Sequence, residues 1–144
     1  MENWKFLVKV LLLAFITVWN VGLTGCQSAG AELSDKFDEE TVKNEAMKKV
    51  ELFNERDYEG LLETGDQRLK ELITAEQLAE KGNPYLDKKG DFQKIEKTVV
   101  LGSEDKAKES KLAVVVMVGV YEKGKLQFTI TFNEAMELTA FKIK

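Results

Sequence analysis

The sequence predicts an α+β domain in which three N-terminal helices pack on a curled, four-stranded antiparallel sheet. Three observations predict it. Apolar residues recur at helical spacings up to Leu86, and beyond Gly90 they follow a strand-like pattern instead. The pair Lys123-Gly124 then interrupts two β-rich runs in the manner of a tight hairpin.

The first helix is expected to take its cap from Ser34 or Asp35. Val42, Ala46, Val50 and Phe53 follow at spacings of four, four and three, which is one apolar stripe. Asn54-Glu55-Arg56-Asp57 breaks that pattern, and Asp57 suits the cap of a short second helix carrying Tyr58, Leu61 and Leu62. Gly65 and Asp66 read as a break. Thr74-Ala75-Glu76-Gln77 has the spacing of a capping box and opens the third helix. Gly82-Asn83-Pro84 is expected to end or kink that helix, with Leu86 in a resumed turn.

The strands are expected over residues 92–101, 112–121, 126–132 and 138–144, with a polar loop holding six charged residues over 102–111. A two-residue loop at Lys123-Gly124 pairs Tyr121 with Leu126, Gly119 with Phe128, Met117 with Ile130 and Val115 with Phe132. That face is apolar on both strands and belongs against the helices. The other face pairs Val120 with Gln127, Val118 with Thr129 and Val116 with Thr131. It is half apolar, and it either meets water or meets a partner.

The N-terminal part of the chain has a different character. Residues 10–31 carry no charge, whereas 32% of the whole chain is charged. Lys5 and Lys9 precede the apolar run of residues 10–19, the layout of a secretory signal. Leu23-Thr24-Gly25-Cys26 then resembles the bacterial lipobox, in which a diacylglyceryl group joins the cysteine sulfur and a signal peptidase cuts before it. The thiol is the nucleophile for the lipid, small Thr24 and Gly25 fit a protease cleft, and Leu23 offers an apolar anchor. Two acyl chains give stable anchoring where one is marginal. The sequence thus divides into a signal peptide (1–25), lipidated Cys26 with a short small-and-polar tether (26–35), and a domain (36–144) on the extracytoplasmic face of a cell membrane, with a Gram-positive envelope preferred.

Removing residues 1–25, which hold Lys5, Lys9 and Glu2, takes the net charge from −4 to −5. An acidic domain without a basic run has no footprint for nucleic acid. The chain has no histidine, and Cys26 is its one cysteine. These exclude a Ser-His-Asp or Cys-His centre and an ordinary zinc site. No glycine-rich loop has phosphate-binding spacing, and Ser103-Glu104-Asp105 lacks the spacing of a calcium loop. No metal and no cofactor is expected.

From Phe37 onward the sequence resembles the family known as domain of unknown function 3887. The resemblance is carried by Phe53-Asn54-Glu55-Arg56-Asp57-Tyr58, Leu72-Ile73-Thr74-Ala75-Glu76-Gln77-Leu78, Gly90-Asp91-Phe92, Tyr121-Glu122-Lys123-Gly124 and Phe128-Thr129-Ile130-Thr131-Phe132. Ala140 departs from the glycine expected there. The resemblance implies a cone like that of nuclear transport factor two or cystatin, a sheet wrapped against helices and often enclosing a cavity. It supplies no catalytic residues.

Three functional readings remain. The first is a non-catalytic pocket for a small apolar ligand, with Tyr58, Tyr121, Phe128, Met117 and Ile130 as candidate lining residues, although plain core is the reading preferred for that apolar face. The second is a protein interface, including a homodimer, through Val116, Val118, Val120, Thr129 and Thr131. The third is an isomerase- or hydrolase-type enzyme drawing on Tyr58, Asp66, Tyr85 and Tyr121, since a pocket carboxylate and a tyrosine can share proton abstraction and oxyanion stabilisation. Binding is the reading preferred.

Overall fold

The computed structural model describes residues 31–144. The segment expected to be a signal peptide, with Leu23, Thr24, Gly25 and Cys26, lies outside the described residues.

Among the described residues, four helices precede the sheet rather than three. Helix α1 spans Glu39–Asn54, α2 Tyr58–Glu63, α3 Gln67–Leu72 and α4 Ala75–Lys89. The α1 cap is Asp38, whose carboxylate accepts the Thr41 N–H at 2.8 Å. It is neither Ser34 nor Asp35, because the chain first makes a turn in which the Phe37 N–H donates to the Ser34 carbonyl at 3.1 Å. That turn tucks Phe37 into the core and delays the helix. The expected stripe of Val42, Ala46, Val50 and Phe53 is fully buried.

Asp57 caps α2 through the Gly60 N–H at 2.9 Å. Asp66, read as part of a break, caps the extra helix α3 through the Leu69 N–H at 2.8 Å. The capping box opens α4, with Thr74 and Gln77 each accepting the other's backbone N–H. Contrary to expectation, α4 runs through Gly82-Asn83-Pro84 to its cap at Gly90. Pro84 removes one helix donor, but tertiary contacts hold the segment. A Cβ on Gly82 would stand 2.7 Å from the Phe53 ring and 3.0 Å from the Tyr58 hydroxyl. Asn83 bonds to α2, and Leu86 is buried.

Strands β1 (Phe92–Asp105), β2 (Ser110–Tyr121), β3 (Gly124–Phe132) and β4 (Leu138–Ile143) form one antiparallel meander in sequence order. The segment expected as a ten-residue loop is mostly strand. β1 and β2 extend as a charged hairpin to a short turn, with Glu104 paired to Lys111 across the ladder. Backbone pairing continues there without apolar side chains, which a hydrophobicity pattern does not detect.

The β2–β3 register is displaced by two residues from the expected one. Glu122-Lys123 forms the loop, Tyr121 faces Gly124, Gly119 faces Leu126, Met117 faces Phe128 and Val115 faces Ile130. Gly124 has φ +147°, so it closes the loop on the strand side rather than within the turn. A shift of two leaves every side chain on its expected face. The inner face therefore packs on the helices as anticipated. Phe53 sits among Tyr58, Phe128 and Phe141 at ring-centre distances of 6.0, 5.6 and 5.7 Å.

Gly82→Ala tests how tightly the layers are fitted. Alanine in an exposed helix gains up to about 1 kcal/mol over glycine, but here the new methyl drives into Phe53 and Tyr58. The expected result is a loss of about 1–3 kcal/mol, read as a lower urea midpoint by far-ultraviolet circular dichroism. Trp4 and Trp19 both precede Cys26, so tryptophan fluorescence would not report on the domain.

Candidate binding cleft

The end of α1 builds the site. After Asn54 and Glu55 the backbone reverses at Arg56, which takes a left-handed φ of 60° without being glycine. The reversal throws the guanidinium across to α4, where it donates to Asn83 Oδ1 at 2.9 Å and to Asp87 Oδ1 at 2.6 Å. The Tyr58 hydroxyl donates to the same Asn83 oxygen at 2.7 Å. Burial raises the Tyr58 phenol above its ordinary range, opposed by the nearby Arg56 charge.

The end of α4 builds the opposite wall. Gly90 has φ 74° and turns the chain directly into β1. The β2–β3 loop clamps this junction: the Glu122 N–H donates to the Asp91 carbonyl at 3.0 Å, and the Lys123 N–H to the Lys89 carbonyl at 2.9 Å. Between the walls lies a cleft of about 380 Å³ lined by Asn54, Arg56, Leu86, Gly90, Asp91, Phe92 and Tyr121.

Tyr121 is 2% exposed, and its ring meets Phe92 edge-on at 5.4 Å. Its hydroxyl makes a short hydrogen bond to Asn54 Oδ1. Desolvation, outweighing that hydrogen bond, pushes the phenol up to about 12. At neutral pH it is therefore a donor and not a base. Asn54 Nδ2 is buried and has no acceptor among the described residues. Turning the amide over changes which of its atoms is left, not that one is left. A buried polar atom without a partner is uncommon in folded proteins and calls for an explanation.

The sequence-derived candidates distribute as follows. Tyr121 lines the cleft, and Tyr58 lies behind it on Asn83. Met117, Phe128 and Ile130 are buried in the core beneath the sheet. The tyrosines and the carboxylate considered for catalysis lie apart. Asp66 lines a cleft of about 470 Å³ beside α3 with Leu72, Asp105 and Thr131, and Tyr85 is exposed on α4 beside Phe141. Val116, Val118, Val120, Thr129 and Thr131 are half-buried on the sheet face opposite the core. Val99, Leu101 and Val114 join them, because Val99 pairs with Val116 and Leu101 with Val114. Among the described residues, no group of His, Cys, Asp or Glu is arranged to hold a metal ion.

Asn54 and Arg56 were not singled out as site residues from sequence. Their one signal is position: two polar residues just past the apolar stripe, where the helix end must face the sheet.

The sequence model of a family described as "Protein of unknown function (DUF3887)" matches residues 46–141. No curated protein matches. Among solved structures, an NMR structure of a protein from Ruminococcus gnavus ATCC 29149 is similar. It is 30% identical with a TM-score of 0.69, and the match covers 77% of this chain and 95% of that one.

The high Tyr121 value has a stability consequence. Below pH 10 both folded and unfolded chains keep this proton. Between pH 10 and 12 the unfolded chain releases it and the folded chain retains it, so stability falls as pH rises through that window. Comparing urea midpoints at pH 9 and pH 11.5 is expected to show a steeper loss for the native chain than for Tyr121→Phe.

Proposed function

The chain belongs to the DUF3887 family, and from that premise we propose that it is a lipid-anchored extracytoplasmic protein whose domain binds a small ligand without transforming it. Cys26, within Leu23-Thr24-Gly25-Cys26, carries the diacylglyceryl anchor. The Asn54–Tyr121 cleft takes the ligand.

The observation that supports binding there is a buried Asn54 Nδ2 with no acceptor among the described residues, beside a cleft that Leu86, Phe92 and Tyr121 line together with polar groups. Small-molecule sites commonly combine apolar walls with a few fixed polar groups. That N–H is covered in the free protein, so a ligand acceptor meets it as the Asn54 side chain turns toward the cleft. Asp91 lines the cleft and Arg56 is already engaged by Asp87, so a neutral carbonyl suits it better than a free carboxylate. Phe92 and Leu86 suit a small apolar body beside that carbonyl.

The test follows the Asn54 side-chain amide resonance by NMR in residues 27–144, titrated with N-acetylglucosamine and with N-acetyl-leucine amide. A shift centred on Asn54, Gly90 and Phe92, and lost in Asn54→Leu, supports the cleft. Shifts scattered over the surface, or none, overturn it. In cells, Cys26→Ala is expected to move the protein from the membrane to the soluble fraction; unchanged retention overturns the anchor.

A second reading rests on the outer sheet face, where Val99 pairs with Val116 and Leu101 with Val114, and Val118 and Val120 continue the apolar column along β2 between polar neighbours. The partner this surface suits is a second copy of the chain, since an apolar column along one strand can lie against its own copy about a twofold axis. With strands about 4.8 Å apart and a rise of about 3.4 Å per residue, this patch, two strands wide and seven residues long, measures roughly 230 Å². That is below the ~800 Å² per partner of a standard interface, so the dimer is a reversible one. Sedimentation equilibrium is expected to show a concentration-dependent dimer that Val118→Lys abolishes; identical monomers in both would remove this reading.

A further inference from the structure

Residues 31–37 do not hang free of the domain. Ala31 pairs antiparallel with Gly102 on the outer edge of β1, and the Gly102 N–H donates to the Ala31 carbonyl at 2.7 Å. The next peptide crosses so close that a Cβ on Gly102 would stand 2.1 Å from the Glu32 carbonyl oxygen and 3.2 Å from Leu33 Cα. Only glycine admits that crossing. Leu33 packs against the core, Phe37 is buried in it, and Lys36 pairs with Glu134 at 3.0 Å. The stretch that composition reads as tether is seated on the domain from Ala31 onward.

Taking the anchor proposed above as given, we infer that this seat orients the domain on the membrane: the β1–β2 hairpin end stands at the bilayer and the Asn54–Tyr121 cleft faces away from it. The inference rests on that anchor reading and adds a direction to it.

Two measures carry the inference. Ala31 is five residues beyond Cys26, so the anchor is at most about 18 Å from the seat. Along β1, Phe92 is ten residues from Gly102, which at about 3.3 Å per residue puts the cleft roughly 30 Å away. Asp105 is only three residues from Gly102 on the other side. The chain therefore enters the domain near the hairpin end of the sheet and far from the cleft. Gly102 is a positioning residue in this arrangement.

The experiment uses the full lipoprotein in vesicles of three parts phosphatidylcholine to one part phosphatidylglycerol with a trace of rhodamine headgroup acceptor. Because the one native cysteine is taken up by the lipid, a cysteine introduced by Ala107→Cys or by Lys123→Cys is the sole free thiol and carries the donor dye. The expected result is energy transfer several-fold stronger from position 107 than from 123. Equal transfer, or stronger transfer from 123, on protein whose intact mass shows the lipid on Cys26 overturns the orientation alone. An unmodified Cys26 mass overturns the anchor and the orientation together. Gly102→Val, checked for retained fold by circular dichroism, is expected to level the two positions and to speed tryptic cleavage at Lys36. A gap between the positions that survives in this variant also overturns the role assigned to the seat.

Discussion

The Phe53 ring is the contact on which the two layers depend. It lies among Tyr58 of α2, Phe128 of β3 and Phe141 of β4, and its edge occupies the space left by the missing side chain of Gly82 on α4. Aromatic pairs in edge-on or tilted contact add to simple area burial, but here the geometry matters more than the sum. Helix α4 carries a proline in its interior and is polar over much of its length, so it has little reason to sit where it does unless it can approach α1 and α2 closely. The absence of a Cβ at Gly82 permits that approach, and Asn83 then meets Tyr58 and Arg56.

The place of the cleft follows from the same contact. Asn54 follows Phe53 at the last position of α1, so burying Phe53 brings Asn54 to the rim of the core, opposite Tyr121. The cleft is thus not a hollow beneath the sheet but a seam at its margin, between the ends of α1 and α4. The interior of the cone is occupied by Phe53, Met117, Phe128 and Ile130. Tyr121 within the seam is held neutral by its own burial, and it stands beside Phe92 and bonded to Asn54.

How much of this was legible in the sequence depends on which physical signal each element carries. The stripe from Val42 to Phe53, the Thr74–Gln77 capping box and the inward faces of β2 and β3 were legible because period and capping are local properties. The family was legible too, from the order of five short motifs. Helix α3 was not, since a six-residue helix with no buried residue has no stripe to read. The outer half of the β1–β2 hairpin was missed because its pairing is held by backbone bonds and charged pairs, and hydrophobicity is silent about both. The hairpin register was off by two because Gly124 was placed within the turn when its positive φ serves the first residue of β3. Asn54 was invisible as a site residue for a deeper reason. Its significance lies in a bond to Tyr121, sixty-seven residues away, and in an atom that finds no acceptor among the described residues.

Gly102 shows the same limitation and what it conceals. In the sequence it marks the edge of a charged loop, and its evident use is flexibility. In the fold it lies inside a straight strand, where glycine costs stability and where nothing in its own hairpin calls for it. What calls for it is Glu32, whose carbonyl occupies the space a side chain would fill. A glycine retained in an edge strand for the sake of a segment seventy residues earlier does two things at once. It covers part of an exposed strand edge, which otherwise invites pairing with another chain. It also fixes where on the domain the chain toward Cys26 departs. With that departure at one end of the sheet and the Asn54–Tyr121 seam at the other, the length of β1 itself separates the two.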